Sequence, residues 1–135
     1  MRDYKKEYEE RVAFIRDLLE KSGAKGIVYG NSGGKDSALV GILCKAACDN
    51  TVGIIMPCAS KRNFGQDAED ARIAADQYGI ETRFIDLTPV REAEMRQLSS
   101  LTEVTPAAAV NIAPRLRMTT LYAAVSYTHL RAHET

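Results

Sequence analysis

The residues whose types and spacing suit chemistry lie in one stretch, Gly30-Asn31-Ser32-Gly33-Gly34-Lys35-Asp36-Ser37. Adjacent glycines between two serines offer backbone amides that no Cβ obstructs, and both Gly33 and Gly34 are expected to take positive φ and turn the chain toward a ligand. Ser32 and Ser37 add hydroxyl donors. If a helix starts here, its first amides lack intrahelical partners and the aligned peptide dipoles put partial positive charge at that end, so a phosphate is the natural ligand. Asp36 alone repels a phosphate. A Mg²⁺ ion between the two reverses that sign, which makes the stretch a candidate nucleotide site with Asp36 as a metal ligand.

The flanks suit this role. Gly26-Ile27-Val28-Tyr29 is β-branched and aromatic and too short for a helix, whereas Ala38 to Ala47 is almost wholly apolar and free of proline. Strand, loop and buried helix follow. A Walker A loop is excluded, because Lys35 is followed by Asp36 and no glycine stands at the required distance; a dinucleotide fingerprint fails because neither Gly30 nor Gly33 begins G-x-G-x-x-G. A lone Gly-Gly would read as a plain strand-to-helix turn. Ser-Gly-Gly-x-Asp-Ser after a strand instead resembles the pyrophosphate loop of the N-type ATP pyrophosphatases, which cleave ATP between the α and β phosphates and adenylate a substrate oxygen. That resemblance implies ATP binding by Gly30, Asn31, Ser32, Gly33, Gly34, Lys35, Asp36 and Ser37.

The elements that must position this loop fit within 135 residues, one domain at most. Tyr8, Val12, Ile15 and Leu19 recur at helical spacing and predict a surface helix ended by Gly23. Thr51 to Met56 reads as a second, fully buried strand closed by Pro57. Ala68, Ala71, Ala75 and Tyr78 mark a helix stopped by Gly79, and Ile80 to Leu87 reads as a third strand. Pro89 to Leu98 looks helical, Ser99 to Pro106 looks like a loop, and a last helix from about Asn111 to Val125 presents Met118, Leu121, Tyr122 and Val125 on one stripe. With right-handed crossovers the result is α/β, a three-layer sandwich on a parallel sheet.

Lysine plus arginine and aspartate plus glutamate both number 18, so no basic field exists to gather a nucleic acid. Cys44, Cys48 and Cys58 form no C-x-x-C pair, and Cys44 and Cys48 read as packing on one face of the apolar helix. His129 and His133 fall in the last few residues and make no zinc cluster. Lys61 and Arg62, past the second strand, read first as solvated charges that could also reach a nucleotide. No run approaches membrane-spanning length, and a cytoplasmic location without a membrane partner is expected.

Within the pyrophosphatases, Asn111-Ile112-Ala113-Pro114-Arg115-Leu116-Arg117-Met118 resembles the Asn-x-x-x-Arg-x-Arg-Met segment of the NAD synthetases, supported by Met56-Pro57, Asp67-Ala68 and Ile85-Asp86 at element ends. The resemblance covers roughly residues 5 to 125. It implies ATP-dependent amidation of deamido-NAD through an adenylated intermediate, with ammonia as nitrogen donor, ATP as co-substrate, Mg²⁺ held by Asp36 and Arg115 contacting deamido-NAD. An arginine fork suits that substrate's phosphates and carboxylate better than a lysine. A homodimer is implied, with the last helix at the interface. Pro114 departs from the expected segment, so the helix is expected to start later, altering the aim of Arg115.

The family continues into a fourth strand with Gly-Thr, a Mg²⁺-holding glutamate and a lysine-bearing loop, none of which follows Val125. The expectation is therefore the N-terminal part of a synthetase domain over 1–125, poorly stable and catalytically incompetent alone, with its first strand exposed at an edge. Residues 126–135 resemble a translated sequencing-library adaptor. A tRNA-modifying pyrophosphatase and a non-catalytic ATP-binding module stand as the alternatives.

Overall fold

The protein is described here from a computed structural model, covering residues 3–58 and 63–127. Lys61, Arg62, His129 and His133 lie outside the described residues. The elements run α1 (Tyr4–Ser22), β1 (Ile27–Gly30), α2 (Lys35–Ala47), β2 (Thr51–Ile55), a π-helical turn (Asn63–Asp67) leading into α3 (Ala68–Gln77), β3 (Glu81–Phe84), α4 (Thr88–Leu101), a short α5 (Pro106–Ala109) and α6 (Ile112–Tyr127). The strands form a parallel sheet in the order β1-β2-β3, with Val28 beside Val52 and Ile54 beside Arg83.

Alternation along the strands creates the layers. Val52, Ile54, Met56 and Cys58 point to one face, where Val28 and the α6 residues Ala113, Leu116, Leu121 and Ala124 join them. Tyr29 and Ile55 point to the other, against Ala68, Ala71 and Ala75 of α3 and Ile80. Every residue of β2 is buried, as a central parallel strand covered on both faces must be. The α/β three-layer arrangement is thus present, and β1 is an edge among the described strands.

Three expectations shift in detail. The regular ladder of β3 ends at Phe84, although the Ile85 and Leu87 amides still donate to the Ile55 and Pro57 carbonyls at 3.0 and 2.9 Å, so the chain stays alongside β2 as far as Leu87. Tyr78 is half exposed because α3 stops at Gln77 and Tyr78 leaves the helical spacing. Part of the stretch read as a loop is helical: the Thr105 hydroxyl accepts from the Ala108 amide at 3.2 Å, and Pro106 opens α5.

End interactions fix the outer helices. Asp3 caps α1 by accepting from the Lys6 amide at 3.1 Å, and Gly23 closes it in the left-handed region at φ 72°. The Arg16 guanidinium donates to the Ala46 and Ala47 carbonyls at 3.0 and 3.4 Å, satisfying acceptors at the negative end of α2.

The Tyr29 ring is the wedge between β1, β2 and α2. A Cβ on Gly53 would lie 2.9 Å from its hydroxyl and ring carbon, and one on Gly41 would overlap it outright. Burial, and secondarily Cys44, raises the Tyr29 phenol above its ordinary value; burial, and secondarily Cys48, does the same for the Cys44 thiol. Groups whose folded pKa is raised contribute stability that is complete below the unfolded value and is lost as pH rises through the folded one. Alkali therefore opens this side of the core.

Two outcomes follow from this packing. Gly53→Ala is expected to cost about 1–3 kcal/mol in urea unfolding, and the cost should shrink in a Tyr29→Leu background; equal costs in both backgrounds would contradict the wedge. In the folded protein a thiol reagent at pH 8 should modify half-buried Cys48 first, leaving buried Cys44 and Cys58 to react only on opening. Equal labelling rates of all three thiols, followed by mass spectrometry, would refute that.

Candidate functional site

The loop that leaves β1 is held from beneath by Asn31. Its side chain is buried and donates from Nδ2 to the Ala71 carbonyl of α3 at 3.0 Å, while Oδ1 accepts from the Gly33 amide at 3.3 Å and faces the Ser37 hydroxyl at 3.5 Å. Its own amide donates to the Ile54 carbonyl at 2.9 Å, continuing the β1–β2 pairing by one bond. Ser32 and Ser37 bridge the loop ends through their hydroxyls at 3.1 Å, the Gly34 amide donates to Ser32 Oγ at 3.3 Å, and Ser37 Oγ donates to the Gly34 carbonyl at 3.1 Å.

The two glycines play different parts. Gly33 has φ 88°, and a Cβ there would run into the Asp67 backbone, so the loop and the start of α3 meet main chain to main chain. Gly34 is extended at φ −83° as the N-cap of α2 and makes no side-chain cap, so the expected positive φ is found only at Gly33. What Gly34 supplies is an uncluttered approach: a Cβ would meet only Ser32 Oγ, at 3.5 Å.

Above the loop lies a cleft of about 520 Å³. Its walls are the loop from Gly30 to Gly34, the end of β2 from Ile54 to Pro57, Asp67, Ala68 and Asp70 at the start of α3, and Pro114, Arg117, Met118 and Leu121 of α6. Beyond the carboxyl ends of parallel strands is where open α/β sheets bind ligands. The apolar end of β2 with Met118 and Leu121 suits a flat base, and the glycine loop suits phosphates.

The structure brings Gly30, Asn31, Ser32, Gly33 and Gly34 to this cleft. Lys35, Asp36 and Ser37 form the first turn of α2 behind it, with Lys35 and Asp36 exposed and Ser37 tied into the loop. Among the described residues no three His, Cys, Asp or Glu side chains converge on a point. The exposed Asp36 carboxylate beside the loop still fits Mg²⁺, which takes one or two carboxylates and draws its other ligands from phosphate oxygens and water.

Arg115 is exposed on α6 and donates from Nη1 to the Asn111 carbonyl at 3.2 Å, away from the cleft lining. Pro114 does not delay α6: the helix already begins at Ile112, with Pro114 in its first turn. Arg115 and Arg117 stand about 200° apart around the helix, so only one of them can face the cleft. That one is Arg117, half-buried, with Nε donating to the Met56 carbonyl at 2.9 Å. Sequence reasoning did not assign it, although Pro114, Arg117, Met118 and Leu121 follow the i, i+3, i+4, i+7 rule of a shared face. The expected stripe is split: Met118 and Leu121 line the cleft, whereas Tyr122 and Val125 are exposed and small Ala113 and Ala124 take their place against the sheet. Nearby, burial pushes the Cys58 thiol up, against the pull of Arg117 and Arg91, with Asp86 adding to the rise.

Comparison with known proteins agrees with this geometry. The NAD synthase family model matches residues 7–131. The NH3-dependent NAD synthetase of Finegoldia magna is 40% identical over 121 residues, covering 89% of this chain and 48% of that protein. Among solved structures, the NH3-dependent NAD synthetase of Campylobacter jejuni superposes with TM-score 0.81 at 31% identity, over 95% of this chain and 54% of that one. The NMN synthetase of Francisella tularensis gives 0.85 at 28%, over 96% and 52%. The chain spans about half the length of the curated relatives it matches. A loop, sheet and α6 arranged in this way, matched by the family model over nearly the whole sequence, make this chain a member of the NAD synthase family.

Proposed function

We propose that this chain carries the ATP-binding half of an ammonia-dependent NAD synthetase, which amidates deamido-NAD through an adenylated intermediate. The observation that supports it most is the cleft formed by Gly30–Gly34, the end of β2 and α6. In this reading the loop backbone and the first turn of α2, with Lys35 and Ser37, cradle the β and γ phosphates, while the Gly33 amide stays bonded to Asn31 Oδ1. Asn31 acts from below by fixing the loop.

Asp36 is the Mg²⁺ ligand. When bound there, Mg²⁺ would supply neutralisation of phosphate charge. The nicotinate carboxylate of deamido-NAD attacks the α-phosphorus, the bond to the bridging oxygen breaks, and pyrophosphate leaves from the loop. Ammonia then adds to the acyl carbon, loses a proton and displaces AMP. The protein's part is positioning and charge neutralisation, so no covalent nucleophile is required.

Arg115 is the proposed deamido-NAD contact. Because it stands on the outer side of α6, the dinucleotide must reach it around that helix. Exposed Tyr122 and Val125 on the same helix support α6 as the homodimer interface. Among the described residues no helix is long and apolar enough to cross a membrane, in keeping with a cytoplasmic enzyme that acts on small molecules. A second reading, the same amidation on the corresponding mononucleotide, draws on the likeness to the NMN synthetase.

Isothermal titration with ATP tests the core of this reading: ATP should bind, and bind more tightly with Mg²⁺ present. Asp36→Asn should abolish the Mg²⁺ enhancement while leaving metal-free binding in place; an enhancement that persists unchanged removes Asp36 as ligand. Gly33→Ala strains the loop by about 1–3 kcal/mol and pushes it off Asp67, so ATP affinity should fall on the order of 10-fold or more. In a pyrophosphate-release assay, stimulation by deamido-NAD over nicotinate mononucleotide and tRNA is expected, and the reverse preference would select an alternative.

A further inference from the structure

Arg117 has a structural task, its bond to the Met56 carbonyl, and that bond also places it at the cleft. Among the described charged residues lining the cleft it is the cation, alongside the carboxylates of Asp67 and Asp70, whereas ATP arrives with several negative charges. The glycine loop forms one end of the cleft, and the apolar wall of Ile54–Pro57, Met118 and Leu121, which suits a nucleoside, forms the other. Met56 marks the seam between them: its methyl carbon would lie 3.2 Å from a Cβ on Gly30, and its carbonyl holds Arg117 Nε.

The Nε bond to a main-chain carbonyl orients the guanidinium before any ligand enters. Half-burial raises the strength of its charge in the cleft over that of an exposed arginine. The phosphate that falls at the seam is the one joining the nucleoside to the pyrophosphate held by the loop. We infer that Arg117 contacts the α-phosphate of the bound nucleotide, and that the motif's two arginines divide the substrates, Arg117 taking ATP and Arg115 the second nucleotide.

The inference rests on the ATP-binding reading above, and the phosphate it names is the one at which adenylation occurs. There a fixed cation counters charge that grows on the non-bridging oxygens as the carboxylate attacks. Lysine at this position would keep the charge and lose the planar fork.

The test is displacement of a fluorescent ATP analogue by ATP and by adenosine, for the whole chain and for Arg117→Gln and Arg117→Lys, with circular dichroism on each. Arg117→Gln should weaken ATP on the order of 10-fold or more and leave adenosine within about twofold, since the lost interaction is a charge-assisted bond to phosphate. Arg117→Lys should recover part of that loss. Unchanged ATP affinity overturns the inference. So does an equal loss for ATP and adenosine, which marks Arg117 as a strut or a base-stacking group. If Arg117→Gln does not fold, Arg117→Lys decides: a loss confined to ATP supports the contact, and parallel losses overturn it. An unsubstituted chain that binds no ATP overturns the nucleotide reading itself, and a substitution effect alone cannot mimic that result.

Discussion

The site depends on a buried amide. Asn31 sits where the chain must leave β1, turn toward the ligand and enter α2, and its side chain bonds across to the Ala71 carbonyl and back to the Gly33 amide. A buried amide left without these partners would carry its full desolvation penalty, so the loop has one low-energy arrangement rather than several. Aspartate could accept from Gly33 yet could not donate to Ala71. Serine could not span both. The loop backbone is therefore shaped from underneath, by a residue whose side chain is spent inside the protein, and the loop's side of the cleft is main chain and small hydroxyls.

Around that tie the packing is arranged to let main chain approach main chain. Gly33 meets the Asp67 backbone, Gly53 and Gly41 make room for the Tyr29 ring, and Ala68, Ala71 and Ala75 bring α3 close to the sheet. Small residues on one layer and a large ring between layers give interdigitation without voids. On the opposite face Ala113 and Ala124 let α6 settle against Val28, Val52 and Ile54, which carries Arg117 to the carboxyl end of β2. Close approach on both faces thus sets the width of the cleft.

Much of this was legible in the residues. Glycine-rich chemistry between a β-branched run and an apolar run identified the loop, alternation and small-residue spacing identified the layers, and Gly23 and Gly79 marked ends that do lie at positive φ. What escaped were features set by rotation and by tertiary neighbours. The phase of α6 about its axis was misjudged because Tyr122 and Val125 are as apolar as the residues that are buried, and only contact with the sheet favours Ala113 and Ala124. The inward turn of the Asn31 side chain has no local signature, since its partner at Ala71 is 40 positions away. The helix at Pro106 did have one, a Thr-Pro pair of the kind that opens helices.

The two-residue offset between Arg115 and Arg117 has an evolutionary corollary. Arg117 lines the cleft and Arg115 stands outside it, so exchanging side chains on the outer side of α6 leaves the cleft wall unchanged. Adding or removing a single residue between Ile112 and Leu121 would instead turn everything downstream by about 100°, swinging Met118 and Leu121 off the cleft wall and carrying outward-facing groups into it. Lineages descended from this architecture are thus free to drift in composition along α6 while being held to a constant length there. Insertions should accumulate instead in the connection between α4 and α5, where Thr102 and Glu103 are exposed and no site residue depends on phase.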